Sequence, residues 1–469
     1  MNVDREGKLD LTIVKYVSAS NPLRVQVGDV LFNNTNSAEL IGKTAYIGIE
    51  GELAFSNHMT RLRPAEGVDP RFTAYQLHFL WMTGYFRHRC THHVNQASIA
   101  SRTLAETVPF VVAPSNEQGE IVDEIEKQLT RLDAAVSALK RVEANLKRYR
   151  AAVLKAACEG RLVPTEAELA RREGRSYEPA SVLLDRILVE RRRRQMAQAS
   201  KRGESGRALG AQGRKGEDEQ SSPPDIADLH ILPEGWCWTS LGQLFSVCIG
   251  ATPSRKKNEY WRGNISWVSS GEVGFCRIRE TREKITDLGL IHTSTLVHPP
   301  GTVLLGMIGE GKTRGQAAIL EIPACNNQNS AAIRVSETPI PPEYIYRFLE
   351  GEYERTRRRG SGGNQPALNK GRVKAIPVPL PPLAEIGRIV AELELCCSLI
   401  DQLEKQVALN MEKAERFRQS VLNLAFEGRL VSQNPDDEPA RVLLERIRAE
   451  RGAQSQETVQ KRKTVPMEA

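Results

Sequence analysis

At 469 residues, with 40% hydrophobic and 26% charged residues, the chain is too long for one ordinary core and predicts two or more globular domains. No apolar run approaches the ~18 residues of a bilayer span, and the charged start MNVDREGKLD lacks the apolar centre of a signal peptide. The net charge of +7 argues little for a nucleic-acid partner, because residues 186–215 alone carry ten Lys/Arg against Glu190 and Glu204. The eight cysteines are scattered without a CxxC pair, which predicts reduced, packing cysteine in a cytoplasmic protein and no zinc site.

In chain order, residues 1–113 hold short β-like runs (Val30–Phe32, Ala45–Ile49) broken by Gly, Asn and Pro, the pattern of a small α/β domain. Residues 114–195 predict a helical spacer, with an apolar stripe at Ile125, Leu129, Leu132, Leu139, Leu146 and Tyr149 in steps of three and four. Residues 196–228, rich in Gly, Ser and charge, predict a disordered linker. A second α/β domain follows over 229–381, with β-like runs at Val303–Ile308, Ala317–Ile322 and Ala331–Val335. A second spacer over 382–452 has its stripe at Leu393, Ile400, Val407, Phe417 and Val421, and residues 453–469 predict a flexible tail. Gly160 and Gly428 stand where each long helix stops and the chain turns. About 45 residues per helix make a rod of ~65 Å.

The organising feature is duplication. Residues 114–163 align without a gap to 382–431, with 18 of 50 positions identical and the pentapeptide EGRLV closing both copies. Asp133 matches Asp401, and PASVLLDRILVER (179–191) matches PARVLLERIRAER (439–451) after a shift of eight residues. Fainter matches run upstream. Val27-GDVLF parallels Pro300-GTVLL, Gly42-Lys43-Thr44 parallels Gly311-Lys312-Thr313, and FSNHMTRLR (55–63) parallels NNQNSAAIR (326–334). Asn95-Gln96-Ala97-Ser98-Ile99 parallels Asn364-Gln365-Pro366-Ala367-Leu368. One stripe cannot bury itself, so the predicted architecture is mixed α/β: two small domains separated by two long, antiparallel-packed coiled-coil helices with an internal pseudo-two-fold repeat.

This arrangement resembles the specificity subunits of type I restriction-modification systems. The residues that carry the likeness are LPEGW (232–236), GDVLFNNTNSAELIGKTA (28–45), GEGKTRGQAAIL (309–320), GGNQPALN (362–369), VPLPPLAEIGRIV (378–390) and both EGRLV ends. The resemblance implies a non-catalytic, sequence-specific reader of a bipartite double-stranded DNA target. It also implies docking of two methyltransferase subunits and of motor-nuclease restriction subunits. No cofactor is expected on this chain; S-adenosylmethionine, ATP and magnesium belong to those partners. Only 27 residues precede Gly28, against about 70 between Leu232 and Gly301, and no counterpart of PEGWCWTSLGQLF precedes the first head. Two expectations stay open: either the start is set too far downstream, or the first recognition domain is short by about 40 residues, which bears on independent DNA reading by residues 1–113.

Phosphate contacts call for Lys and Arg, and the candidates are Lys43, Arg87, Arg89, Arg255, Lys256, Lys257, Lys312, Arg314, Arg357, Arg358 and Arg359. Base edges call for bidentate amides, and the loop candidates are Asn33, Asn34, Asn36, Asn57, Asn95 and Gln96 in the first domain. Their second-domain counterparts are Asn326, Asn327, Gln328, Asn329, Asn364 and Gln365; turn geometry alone also selects loop Asn. Gly306–Thr313 fits GxxxxGK[ST], so a nucleotide hydrolase is one rival reading, and a coiled-coil scaffold without DNA affinity is another. His88 and His92 would share a helix face, but no Cys/His cluster completes a metal site.

Overall fold

A computed structural model describes residues 2–12, 16–17, 23–206, 229–309, 311–358 and 367–463. In chain order the principal elements are strands β1 (Val30–Asn33), β2 (Thr44–Tyr46) and β3 (Met59–Leu62), then helices α1 (Pro70–Met82), α2 (Ser115–Cys158) and α3 (Ala180–Gly206). There follow β4 (Cys237–Ser240), β5 (Val247–Ile249), β6 (Trp261–Val268), β7 (Cys276–Ile278), β8 (Glu283–Ile285), β9 (Val303–Gly306), β10 (Ala317–Leu320), β11 (Cys325–Asn326) and β12 (Ser330–Ile333). Helix α4 (Pro342–Gly351), strand β13 (Pro377–Leu380) and helices α5 (Leu383–Phe426) and α6 (Ala440–Lys463) complete the chain. Among the described residues no helix is long and apolar enough to cross a membrane.

The chain forms two compact units, and each takes one α/β head and one part of each long helix. Unit 1 is Met1–Val142 with Gln406–Ala469; unit 2 is Glu143–Lys405. In unit 1 the start of α2 packs on the end of α5: Ile121, Val122, Ile125 and Leu129 share a core with Val421, Leu422 and Ala425. In unit 2 the end of α2 meets the start of α5 through Val153, Leu154, Ala157, Ile386, Ile389 and Leu393. The helices are therefore antiparallel in both units. The contacting residues are also repeat-equivalents of one another, since Val153 stands in α2 where Val421 stands in α5.

The stripe is narrower than its spacing suggests. Ile125, Leu129, Leu146, Leu393, Ile400, Val407 and Val421 are buried, and Leu132 and Leu139 half-buried. Tyr149 and Phe417, by contrast, are about half exposed, at 55% and 47%. These two are repeat-equivalents, so the periodicity misled in the same way twice: both lie off the shared face, next to the arginines that make the interhelical ion pairs. Arg150 bonds Asp401 (2.5 Å) and Glu404 (3.1 Å) in unit 2. Arg418, its equivalent, bonds Asp133, the equivalent of Asp401, in unit 1. Each helix thus gives its arginine to the other helix's aspartate, in one antiparallel register.

Both long helices end on a left-handed glycine, Gly160 (φ 67°) and Gly428 (φ 69°). The amides of Arg161 and Arg429 reach back to Ala156 and Leu424, each at 2.8 Å, which closes the last turn. Helix α3 continues to Gly206 and α6 to Lys463, which corrects the linker and tail boundaries. Ala, Gln, Lys, Arg and Glu in AQASKRGES favour helix as much as charge-rich composition suggested disorder. The rest of the linker, 207–228, and the last six residues of the tail, 464–469, lie outside the described residues.

The heads are built on one plan. In head 1 the order is β2-β1-β3; in head 2 the same trio, β10-β9-β12, sits inside a five-stranded sheet β5-β12-β9-β10-β7. Register agrees residue for residue: Val30 faces Tyr46 and Leu62, and Val303 faces Ile319 and Ile333. Head 2 adds the sheet β8-β6-β11 and the pair β13-β4.

Replacing Asp133 with Ala leaves Arg418, 7% exposed, without its carboxylate. The expected loss is on the order of 2 kcal/mol, measured by urea unfolding. The swap Asp133→Arg with Arg418→Asp recovers most of it; a swap as damaging as the single change would contradict the pairing.

Candidate nucleic-acid interface

In head 1 the hairpin from β1 to β2 carries a ten-residue loop, 34–43. Its base is closed by backbone alone: Gly42 N donates to Asn33 O (2.8 Å) and Asn33 N to Lys43 O (2.9 Å). Within the loop, Thr35–Asn36 pairs with Ala97–Ser98, which pairs with Thr91–His92, and Ile99 N bonds Asn34 O at 2.9 Å. This small sheet carries the turn holding Asn95 and Gln96 up against Asn36.

The result is an open polar pocket of about 300 Å³. It brings together four residues singled out in the sequence, Asn33, Asn36, Asn95 and Gln96, with Thr35, Ser37, Ser56 and His58, which composition alone did not mark. The signal for the last two lay in the FSNHMTRLR repeat match. Asn34 is spent on structure: its Nδ2 donates to Thr60 Oγ1 (2.9 Å) and its Oδ1 accepts from Thr35 Oγ1 (2.8 Å). Asn57 is exposed beside the pocket but does not line it.

Head 2 repeats the scaffold. Gly315 N donates to Gly306 O (2.8 Å) and Leu368 N to Met307 O (3.0 Å), as Gly42 does to Asn33 and Ile99 to Asn34. Met307 N bonds Asn329 O (2.9 Å) as Asn34 N bonds His58 O (3.0 Å). Asn327, Gln328 and Asn329 therefore occupy the places of Ser56, Asn57 and His58. Asn364, Gln365 and Arg359 lie outside the described residues.

These bonds also correct the Gly-Lys-Thr match. The counterpart of Gly42-Lys43-Thr44 is Gly315-Gln316-Ala317, so Gly311-Lys312-Thr313 lies four residues earlier, at the loop's outer turn. Lys43 is only 5% exposed and its Nζ bonds Val3 O, which removes it from the phosphate candidates. Lys312 is exposed. The turn after Gly306 leads into strand β10, not into the helix whose N-terminal amides a phosphate loop requires, so the nucleotide reading lacks its geometry.

Of the other amides in head 2, Asn326 is fully buried: its Nδ2 donates to Ser330 O (2.7 Å) and its Oδ1 faces His298 Nε2 (3.0 Å). Asn327 is 6% exposed, with Oδ1 accepting from Asn329 N (3.2 Å). Both are turn-formers, a correction to their base-reading role. Gln328 is exposed and accepts from Thr252 Oγ1 (2.5 Å), and Asn329 is half-buried.

Among the cations, Arg255 stacks on Trp261 (3.8 Å) and bonds Glu283 (2.8 Å), so it is largely committed to structure. Lys257 donates to Tyr260 Oη (3.0 Å). Arg357 bonds Arg314 O (3.2 Å) and Tyr353 Oη (3.1 Å), which anchors the Arg357 side chain on the backbone of the loop that carries Arg314. Lys256, Arg358 and Arg87 are exposed; Arg89 is exposed and stacks on Tyr85 at 3.9 Å. His88 sits in a turn beyond α1 and His92 in a short strand, so they share no helix face.

His298 is held as the neutral ring: Arg334 Nε donates to its Nδ1 (3.2 Å), leaving Nε2–H for Asn326. Burial, with Arg334 adding to it, pushes it down to about 4. The unfolded chain therefore takes up this proton first. The contribution, about 3 kcal/mol, is complete above about pH 6.5 and drains away as pH falls toward 4. Unfolding midpoints should drop across that window, while NMR of the folded chain at pH 5.5 shows an uncharged His298; a charged ring there would refute it.

Residues 233–410 match the Type I restriction modification DNA specificity domain. The chain is 25% identical to the EcoR124I/EcoR124II specificity subunit of Escherichia coli over 39% of its own length and 46% of that relative's. With the Escherichia coli K12 EcoKI specificity subunit it shares 22% identity over 98% of this chain and 89% of the relative. The fold is similar to a chain in a structure titled for complex assembly and conformational transition of the type I R-M system, with a TM-score of 0.53, 18% identity and 91% of each chain covered.

Proposed function

We propose, from the premise that this chain belongs to the type I restriction-modification specificity family, that it is the non-catalytic subunit reading a bipartite DNA target. Each head reads one half-site, and the paired long helices set the unread gap and dock two methyltransferase subunits, with restriction subunits joining them in the cytoplasm. S-adenosylmethionine, ATP and magnesium act on those partners, and no cofactor is assigned to this chain.

The observation that carries the reading is the matched duplication. Two heads share one sheet register and one loop closure, and each is followed by a helix of 44 residues. A split DNA site asks for two readers of like build joined by a stiff element. The chemistry supports it: a pocket lined by Asn33, Asn36, Asn95 and Gln96 offers paired donors and acceptors to base edges. Exposed Lys256, Lys312, Arg358 and Arg87 offer charge to phosphates without sequence preference.

Duplex binding is measured for the chain co-expressed with its genomic methyltransferase neighbour. Asn95→Ala with Gln96→Ala should relax the base preference of one half-site by about 1–3 kcal/mol and leave the salt slope unchanged. Lys256→Ala should weaken all sequences alike and lower the slope by about 1. Binding without salt dependence, or failure to co-purify with the methyltransferase, would return the chain to a scaffold role.

Four residues, about one helical turn, inserted in both long helices after Val142 and after Lys405 should lengthen the gap by about one or two base pairs. The half-sites stay the same, as methylome sequencing would report. Altered half-sites with the old gap would contradict the spacer assignment.

A further inference from the structure

The amides of the head 1 pocket differ in the hydrogen-bonding capacity they have left. Asn34 is occupied at both ends, by Thr60 and Thr35. Asn36 is occupied at one: its Oδ1 accepts from Ser37 N (2.8 Å), which leaves the Nδ2 protons as donors. Asn95 and Gln96 are exposed on the rim, where water serves donor and acceptor alike. Asn33 stands apart. It ends β1 opposite Met59 and lines the pocket at only 4% exposure, and among the described residues its side-chain amide has no hydrogen bond. A buried amide in that state forfeits its hydration with no compensating bond. Both its donor and its acceptor remain for whatever enters the pocket.

The repeat supplies a control. At the equivalent place in head 2 stands Gly306, opposite Ser330, and a Cβ there would collide with the backbone oxygen of Thr313. Head 2 thus folds the backbone of its own loop over the site that Asn33 fills in head 1, and no side chain fits. The loop closes in the same way in both heads, Gly42 N to Asn33 O and Gly315 N to Gly306 O. The frame therefore does not require an asparagine at this position. The Asn33 amide is available for recognition because folding makes no use of it.

We propose, resting on the DNA-reading role given to this pocket, that Asn33 is the residue by which head 1 selects adenine at one position of its half-site. On the groove edge adenine presents an acceptor, N7, beside a donor, N6–H; guanine presents two acceptors, cytosine a donor, and thymine an acceptor and a methyl group. Only adenine engages both ends of one amide, with Nδ2–H donating to N7 and Oδ1 accepting from N6–H. Any other base leaves one end of Asn33 unpaired. Rejection is strong there, because the unpaired end is buried and cannot turn to water. Head 2 has no side chain at Gly306 to repeat this contact, so the two half-sites are not interchangeable.

The full chain, co-expressed with its methyltransferase neighbour, is used to select duplexes from a random-sequence library, as wild type and as Asn33→Gly, the residue that head 2 carries. Glycine should remove an adenine preference of about tenfold or more at one position and leave every other position, including the second half-site, unchanged. Asn33→Asp, of the same shape but with two acceptors, should move the preference at that position to cytosine, whose N4 amine donates. A third arm reads the wild type directly. Placing 7-deazaadenine, which lacks the N7 acceptor, at that position of the selected duplex should weaken wild-type binding about tenfold and Asn33→Gly binding by less than about twofold. Identical selected sequences for wild type and Asn33→Gly, or undiminished wild-type binding to the 7-deazaadenine duplex, would overturn the assignment. A wild-type selection that returns no preferred sequence would instead strike the DNA-reading role itself.

Discussion

Everything in this molecule depends on two copies of one helical sequence packing antiparallel. An amphipathic helix of 44 residues with a narrow apolar face is not stable alone, because its apolar surface needs a partner. The duplication supplies a partner with the same spacing, and antiparallel packing puts the start of one copy against the end of the other. The start of the helix brings isoleucine, valine and glutamate; the end brings valine, leucine, alanine and a left-handed glycine. Since the core contacts and the arginine–aspartate pair recur as repeat-equivalents, a substitution there that suits one unit is tested at the same time in a related setting in the other. The Arg150–Asp401 and Arg418–Asp133 pairs show the consequence: arginine and aspartate sit 17 residues apart in each copy, and only an antiparallel arrangement lets both find a partner.

The heads inherit this economy. Their central hairpins close on glycines of positive φ, Gly28 and Gly42 in one and Gly301 and Gly315 in the other, where an L side chain would be strained. Around this common frame the heads diverge. Head 2 adds outer strands and the aromatic cluster Trp261–Trp267 under Arg255; among the described residues the main sheet of head 1 has three strands.

The architecture was legible in the sequence because its determinants are periodic and repeated: the three-four stripe, EGRLV twice, the β-like runs. The concentration of Asn33, Asn36, Asn95 and Gln96 in one pocket was legible only as a set of loop amides. What the sequence hid was depth. Lys43 and Lys312 share a tripeptide, yet one is buried one residue before a strand and the other stands at a turn, and only backbone hydrogen bonds distinguish them. Asn326 shares its residue type with the pocket asparagines but satisfies buried Ser330 and His298, a task of long-range packing that no local pattern records. Tyr149 and Phe417 fit the stripe by spacing and still face outward, because a drift of a few tens of degrees per heptad carries a residue off a narrow face.

The loop of residues 34–43, and its equivalent 307–316, are each shut at the base by amide-to-carbonyl contacts that ignore side-chain identity. The exposed positions between those clasps, such as Ser37 and Glu39 in the first loop and Lys312 in the second, are therefore at liberty to drift without unsettling the strands beneath, whereas Asn34, Ile41, Gly42 and Lys43 are held by the frame. A lineage under pressure to alter what it discriminates could rewrite those exposed positions by small steps while the frame that presents them stays constant. Novelty of preference and permanence of scaffold are here two results of the same backbone latch.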